Sequence, residues 1–255
     1  MFMCPVFHFT WLSSLLFALT GAMLGALGGG GSLLALPIFL VVLKIPTDQA
    51  VPATAAVVGG AALSGAWDAW RDKRLDLGML ARFGVPAMLL AAVGSKLTGW
   101  MNGQILHWMF VAILLYSGVG LLRPRPGTVP NVARTPNVKR LWVSGAGTGL
   151  LMGLFGVGGG FVATPALVLQ GGLTAAAAIP VTLGVIALSA ASSLAVQISA
   201  GNLRWPLVLP ALIATLIGME FGSALSKRLP SRWLLRGLAI LLLGVAASMV
   251  VPLVR

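Results

Sequence analysis

The chain has 255 residues, of which 58% are hydrophobic and 9% charged, with a mean hydropathy of +0.99 and a net charge of +12. A soluble domain carries about 25% charged residues, so this composition excludes one and predicts a polytopic membrane protein with the lipid bilayer as its partner. The positive excess does not point to nucleic acid, because the Lys and Arg residues sit in short loops between apolar runs and form no basic stripe with interleaved aromatics.

The first apolar run, about 8–27, is too long and too glycine-rich at its end for a cleaved signal peptide and is expected to be retained. Cys4, just before it, is the only cysteine, so no internal disulfide can form. Further runs fall near 32–43, 50–68, 78–98 and 104–122. Residues 123–140 are basic and proline-rich and read as a solvated cytoplasmic linker. Runs resume near 141–156, 160–170, 175–199, 205–226 and 233–253. The expected organisation is a first membrane repeat over 1–122, the linker over 123–140 and a second repeat over 141–255, the two repeats forming one transport unit. The runs at 32–43 and 160–170 are too short, at about 1.5 Å per residue, to cross a hydrocarbon core of about 30 Å.

Both short runs follow glycine-rich stretches, GALGGGGSLLALP from Gly25 to Pro37 and GLFGVGGGFVATP from Gly153 to Pro165. These are the same motif, 128 positions apart. The shift also carries Pro52 and Thr54 onto Pro180 and Thr182, and Gly94 and Ser95 onto Gly222 and Ser223. It holds without a gap over about 70 residues, which identifies an internal repeat.

Charge indicates how the halves are oriented. If each glycine stretch turns the chain back and the linker is cytoplasmic, 13 of the basic residues lie inside and only Lys44, Lys96, Arg204 and Arg255 outside. If each stretch is only a kink, the split weakens to 11 and 6. The positive-inside rule favours the first arrangement, with inverted repeats and both chain ends outside.

In hydrocarbon an unpaired backbone group costs several kcal/mol, so irregular backbone survives only where protein buries it or water reaches it. The expected fold is therefore an all-α polytopic membrane protein of two inverted-topology helical repeats, with helices broken after the Gly-rich motifs. Short helices are expected from Ser32 and from near Phe161. Their first N–H groups lack intrahelical partners and carry partial positive charge, so an anion is the natural guest. Paired broken helices in inverted repeats mark a transporter site near the midplane. The alternative use of the glycines is tight helix packing.

These residues resemble the sulfite exporter TauE/SafE family of membrane permeases. The family pattern pairs a Gly-rich motif and proline with an A-x-P-x-T-type element, here Ala50–Thr54 and Ala178–Thr182. The first motif departs from the second in its four consecutive glycines and in Ser32, where the second has Gly160. The resemblance covers essentially the whole chain and implies export of small sulfur-containing anions such as sulfite or organosulfonates.

The candidate solute-binding residues are Gly28, Gly29, Gly30, Gly31, Ser32 and Thr54 in the first half. In the second they are Gly156, Gly158, Gly159, Gly160, Thr182, Ser189, Ser193 and Gln197. The last four share one helix face and could line a polar path or hydrogen-bond to other helices. Glu220, the one acid well inside a run, is a candidate for coupling solute movement to protons, or for a structural ion pair with Lys227 or Arg228. Lys96 at an outer end could attract anions or snorkel. Most tryptophans fall near run ends, as interfacial anchors do. Asp68, Asp72 and Asp76 alternate with Arg71, Lys73 and Arg74 in a solvated loop cluster.

His8 and His107 are isolated, so no metal site is expected, and no Ser–His pair supports an intramembrane protease. No GxxxxGK[ST] motif occurs, so no ATP is hydrolysed here, no cofactor is expected and the chain is read as a non-enzyme. The function read from the sequence is a secondary transporter, an exporter of a small anionic solute, in the inner cell membrane. An anion channel and a non-transporting accessory protein are the alternatives. The oligomeric state stays open, a homo-oligomer included.

Overall fold

Apolar runs long enough to span lipid become helices because only a helix satisfies all its own backbone groups there. A computed structural model of the chain describes residues 11–122, 138–156, 159–199 and 205–226, with 240, 243–244 and 246–247. No strand occurs among the described residues. The helices are α1 (Trp11–Leu27), a composite α2 (Gly30–Val42), α3 (Thr47–Arg71), α4 (Leu77–Thr98), α5 (Gly103–Leu122), α6 (Val138–Phe155), α7 (Gly160–Gly171), α8 (Ala175–Ser199) and α9 (Trp205–Ser226). Four of them, α3, α4, α8 and α9, are long and apolar enough to cross a membrane. The fold is that of an all-α polytopic membrane protein.

Most of the helices lie where the apolar runs predict, with differences at their ends. Val138–Arg140, expected in the linker, form the first turn of α6. The short helices start at Gly30 and Gly160. α2 is not a plain α-helix: Gly30–Leu34 is 3₁₀, Ala35–Pro37 α and Ile38–Val42 π. Pro37, which has no N–H to donate and crowds the preceding turn, sits at the change of pitch.

The repeat is visible in the elements. Thr47, Arg71, Leu77 and Thr98, which bound α3 and α4, map under the 128-residue shift onto Ala175, Ser199, Trp205 and Ser226, which bound α8 and α9. The packing follows the same exchange: α1 lies along α9 and α4 along α6, while α3 and α8 pack on each other. Glycines set the first two crossings. A Cβ placed on Gly21 would stand 1.9 Å from the Thr215 carbonyl oxygen, and one on Gly149 the same 1.9 Å from that of Ala87. Gly25 and Gly153, which open the two motifs, meet the carbonyls of Met219 and Ala91 in the same way. These glycines serve close helix packing.

The interior so formed buries Leu24, Leu33, Phe39, Val51, Val57 and Ile186. Leu63, Leu89, Val143, Ile213 and Phe221 face outward, as a lipid-solvated surface requires. Trp67, Trp70, Trp100, Trp108, Trp142 and Trp205 are exposed near helix ends, and Trp233 lies outside the described residues. At the turn between α3 and α4, Arg74 pairs with Asp72 at 2.7 Å with both side chains solvated, and Asp76 caps α4 by accepting from the Met79 N–H at 2.9 Å.

Candidate functional site

The two breaks have the same construction. α1 ends at Leu27 and α6 at Phe155, and each is followed by a glycine in the left-handed region, Gly28 at φ +70° and Gly156 at φ +62°. Each of these glycines donates its N–H four residues back, to Leu24 O and Met152 O, both at 2.8 Å. A Cβ on Gly28 would strike Ile179, and one on Gly156 the Val51 carbonyl, two positions that are themselves repeat partners. Backbone conformation and close approach thus both require glycine here.

The breaks touch one another. A Cβ on Gly29 would lie 2.4 Å from Gly160 Cα, and one on Gly160 equally 2.4 Å from Gly29 Cα. The start of α7 therefore abuts the turn that leads into α2, and the first N–H groups of both short helices point back toward this junction. Ser32 spends its buried hydroxyl on the Gly29 carbonyl at 2.6 Å, stiffening its own turn. Gly31 and Gly159 pack against α1 and α6, on Thr20 and Leu24 and on their partners Thr148 and Met152. Gly30 opens α2 beside them, while Gly158 lies outside the described residues.

α8 runs past the junction with a buried polar face. Thr182 shares a hydrogen bond with Thr164 of α7 at 3.1 Å. A turn further on, the Ile186 side chain packs at Gly160. Ser189 follows, fully buried, its hydroxyl the one buried side-chain polar atom without a hydrogen-bond partner among the described residues. Next, Ser193 accepts on its hydroxyl from the Gln197 amide at 3.3 Å, and on its carbonyl from Ser95 of α4 at 3.2 Å. From Gln197 to Ile186 the face extends about 16 Å at about 1.5 Å per residue.

Beyond Gln197 it opens into a cavity of 620 Å³ at one end of the bundle. The ends of α3, α4, α5 and α8 form its walls, and Asp48, Ser95, Lys96, Thr98, Trp100 and Gln197 are among its lining. The Thr98 hydroxyl donates to Leu154 O at 2.9 Å and so ties this wall to the residues just before Gly156. Cavity, α8 face and glycine junction thus lie in succession.

Two expected residues lie off the α8 face. Thr54, the repeat partner of Thr182, turns its hydroxyl back onto Ala50 O at 2.8 Å within its own helix. Glu220 is exposed on α9 beside Ile217 and Phe221, on the outer face and away from the α8 face. Lys227 and Arg228, its expected ion-pair partners, lie outside the described residues. Sequence reasoning missed Asp48, Ser95, Thr98 and Trp100 as cavity lining. A comparison of the halves would have flagged Asp48, whose repeat partner is Ala176.

A helical bundle with two touching backbone breaks and a buried polar face beside them is the architecture of a membrane-transport protein. The chain belongs to the sulfite exporter TauE/SafE family, whose model matches residues 14–249. Members of that family are membrane transporters rather than enzymes. A "probable membrane transporter protein" of Xylella fastidiosa (strain 9a5c) is 32% identical over 162 residues, 59% of this chain and 59% of the relative. The corresponding protein of strain Temecula1 matches equally, so the chain spans 59% of the length of each of these two relatives. The "probable membrane transporter protein YdhB" of Bacillus subtilis (strain 168) is 23% identical over 216 residues, 83% of this chain and 88% of the relative. No solved structure matches the chain.

Proposed function

We propose that this protein is a secondary transporter that exports a small anion, sulfite or an organosulfonate in the family's sense, across the inner cell membrane. The observation that carries the reading is the contact of Gly29 with Gly160, which brings the starts of two truncated helices together beside the buried face of α8. Two helix starts pool their partial positive charge, and the anion would sit between them, with the Ser189 hydroxyl as a donor. The breaks are in van der Waals contact, so solute passage requires them to part. Rocking one repeat against the other would do this, in alternating access. The exchange of helix partners under the repeat shift supports a pseudo-twofold relation between the halves, and the distribution of basic residues supports inverted ones, organised as 1–122 and 141–255 about a cytoplasmic linker.

Purified full-length protein in liposomes tests this against a panel of sulfite, sulfonates and short carboxylates. Saturable flux that accumulates solute against its gradient is the expected result. Fast unsaturable flux would make the protein a channel, and no flux of any anion would leave an accessory role.

A further inference from the structure

The cavity at the Gln197 end carries both signs of charge. Asp48 stands in the first turn of α3 and Lys96 in the last turn of α4, and both line it. Among the described residues neither is in an ion pair. An acid at a helix start and a base at a helix end each have a simple electrostatic use, since both complement the helix dipole. The repeat supplies the control for that explanation. Ala176 and Ala224 occupy the same positions in α8 and α9, and those helices form over the same bounds without the charges. The Gln197 position is likewise alanine in the other half, Ala69, whereas the Ser95 position keeps its hydroxyl as Ser223. At these three matched positions the acid, the base and the amide therefore occur only around this cavity, a space large enough for a small solute.

We propose that this cavity binds a small zwitterion, a solute with an anionic group and a protonated amine, after it leaves the glycine junction on its way out. The anionic group pairs with Lys96 and with the Gln197 amide. The amine pairs with Asp48 and rests against the aromatic surface of Trp100. A solute with negative charge alone meets Lys96 but also the repulsion of Asp48, whereas a zwitterion satisfies both. The inference rests on the anion-transport reading and narrows it to amino-bearing anions, whose negative end would then face the two helix starts.

The test is equilibrium binding to the purified full chain in detergent, with matched pairs of probes: 3-aminopropanoate against propanoate, and 2-aminoethanesulfonate against ethanesulfonate. Each amino compound is expected to bind about tenfold more tightly than its amine-free twin, the scale of one charge-assisted hydrogen bond. Asp48→Asn should bring that ratio to about one without weakening the amine-free twin, and Asp48→Glu should preserve it. Lys96→Gln should weaken both members of each pair. A wild-type ratio of one or less, no binding of any probe, or a ratio untouched by Asp48→Asn would overturn the proposal. If Asp48→Asn does not fold, the wild-type ratio alone decides. The two readings fail separately: liposome flux of amine-free anions without any amine preference ends this inference and leaves anion transport standing, while binding without flux does the reverse.

Discussion

The two halves of this molecule share a backbone and differ in chemistry. Gly28 and Gly156 take the same left-handed turn, and Gly21 and Gly149 admit the same carbonyl approach. Yet the polar face of α8, Thr182, Ser189, Ser193 and Gln197, has as its counterpart in α3 Thr54, Ala61, Gly65 and Ala69. What the repeat retains is what the breaks and crossings need sterically, and what it has let diverge is the lining. Steric roles come in pairs because both breaks must be built, while the proposed solute path needs only a single polar face beside their junction.

The largest expected effect tests the shared part. Gly21→Val and Gly149→Val each drive a side chain into a backbone carbonyl that cannot recede, an overpacking that costs about 3 kcal/mol or more. Both should abolish recovery of monodisperse protein by size-exclusion chromatography, and a tolerated substitution in one half alone would break the symmetry. Next comes the divergent part. Ser189→Ala should lower anion flux about tenfold while raising thermal stability slightly, because it removes a buried hydroxyl that has no partner. Ala61→Ser, the matching change in α3, should leave flux within about twofold, since its hydroxyl can bond back within the helix.

Glu220→Gln sharpens the comparison further. The side chain faces outward from α9, so proton-linked flux should stay within about twofold of wild type, and loss of proton dependence would return Glu220 to the mechanism. The smallest effect concerns the caps after the short helices, where Lys44 and its partner Gly172 both have positive φ, 51° and 68°. Lys44→Gly should raise stability by about 1 kcal/mol, read as a small increase in melting temperature. Gly172→Ala should lower it by a similar amount.

Much of this was legible in the chain. Apolar runs located the helices α1 to α9, the run at 233–253 lying mostly outside the described residues, and the glycine spacing located both breaks, because a left-handed turn between helices leaves few alternatives to glycine. The stripe on α8 followed from helical periodicity, and the buried face contains all four residues. Less legible was which glycine does what. Within one motif Gly25 packs a helix, Gly28 turns the chain and Gly29 meets the opposite break, and only the neighbours distinguish them. The orientation of Glu220 was also hidden, because α9 is apolar on every side and gives no amphipathic signal. The cavity draws on the ends of four helices far apart in sequence, so no local pattern announces Asp48 or Thr98.

Cysteine accessibility along the two matching helices, in a Cys4→Ala background, tests the central claim most directly. Gln197→Cys, Ser193→Cys and Ser189→Cys should react with a membrane-impermeant thiol reagent from the Lys96 side only, progressively more slowly with depth, and transported anion should slow them further. Ala69→Cys and Ala61→Cys should not react from that side. Equal labelling of α3 and α8, or labelling that solute never slows, would contradict a solute path along α8 to the junction of the two breaks.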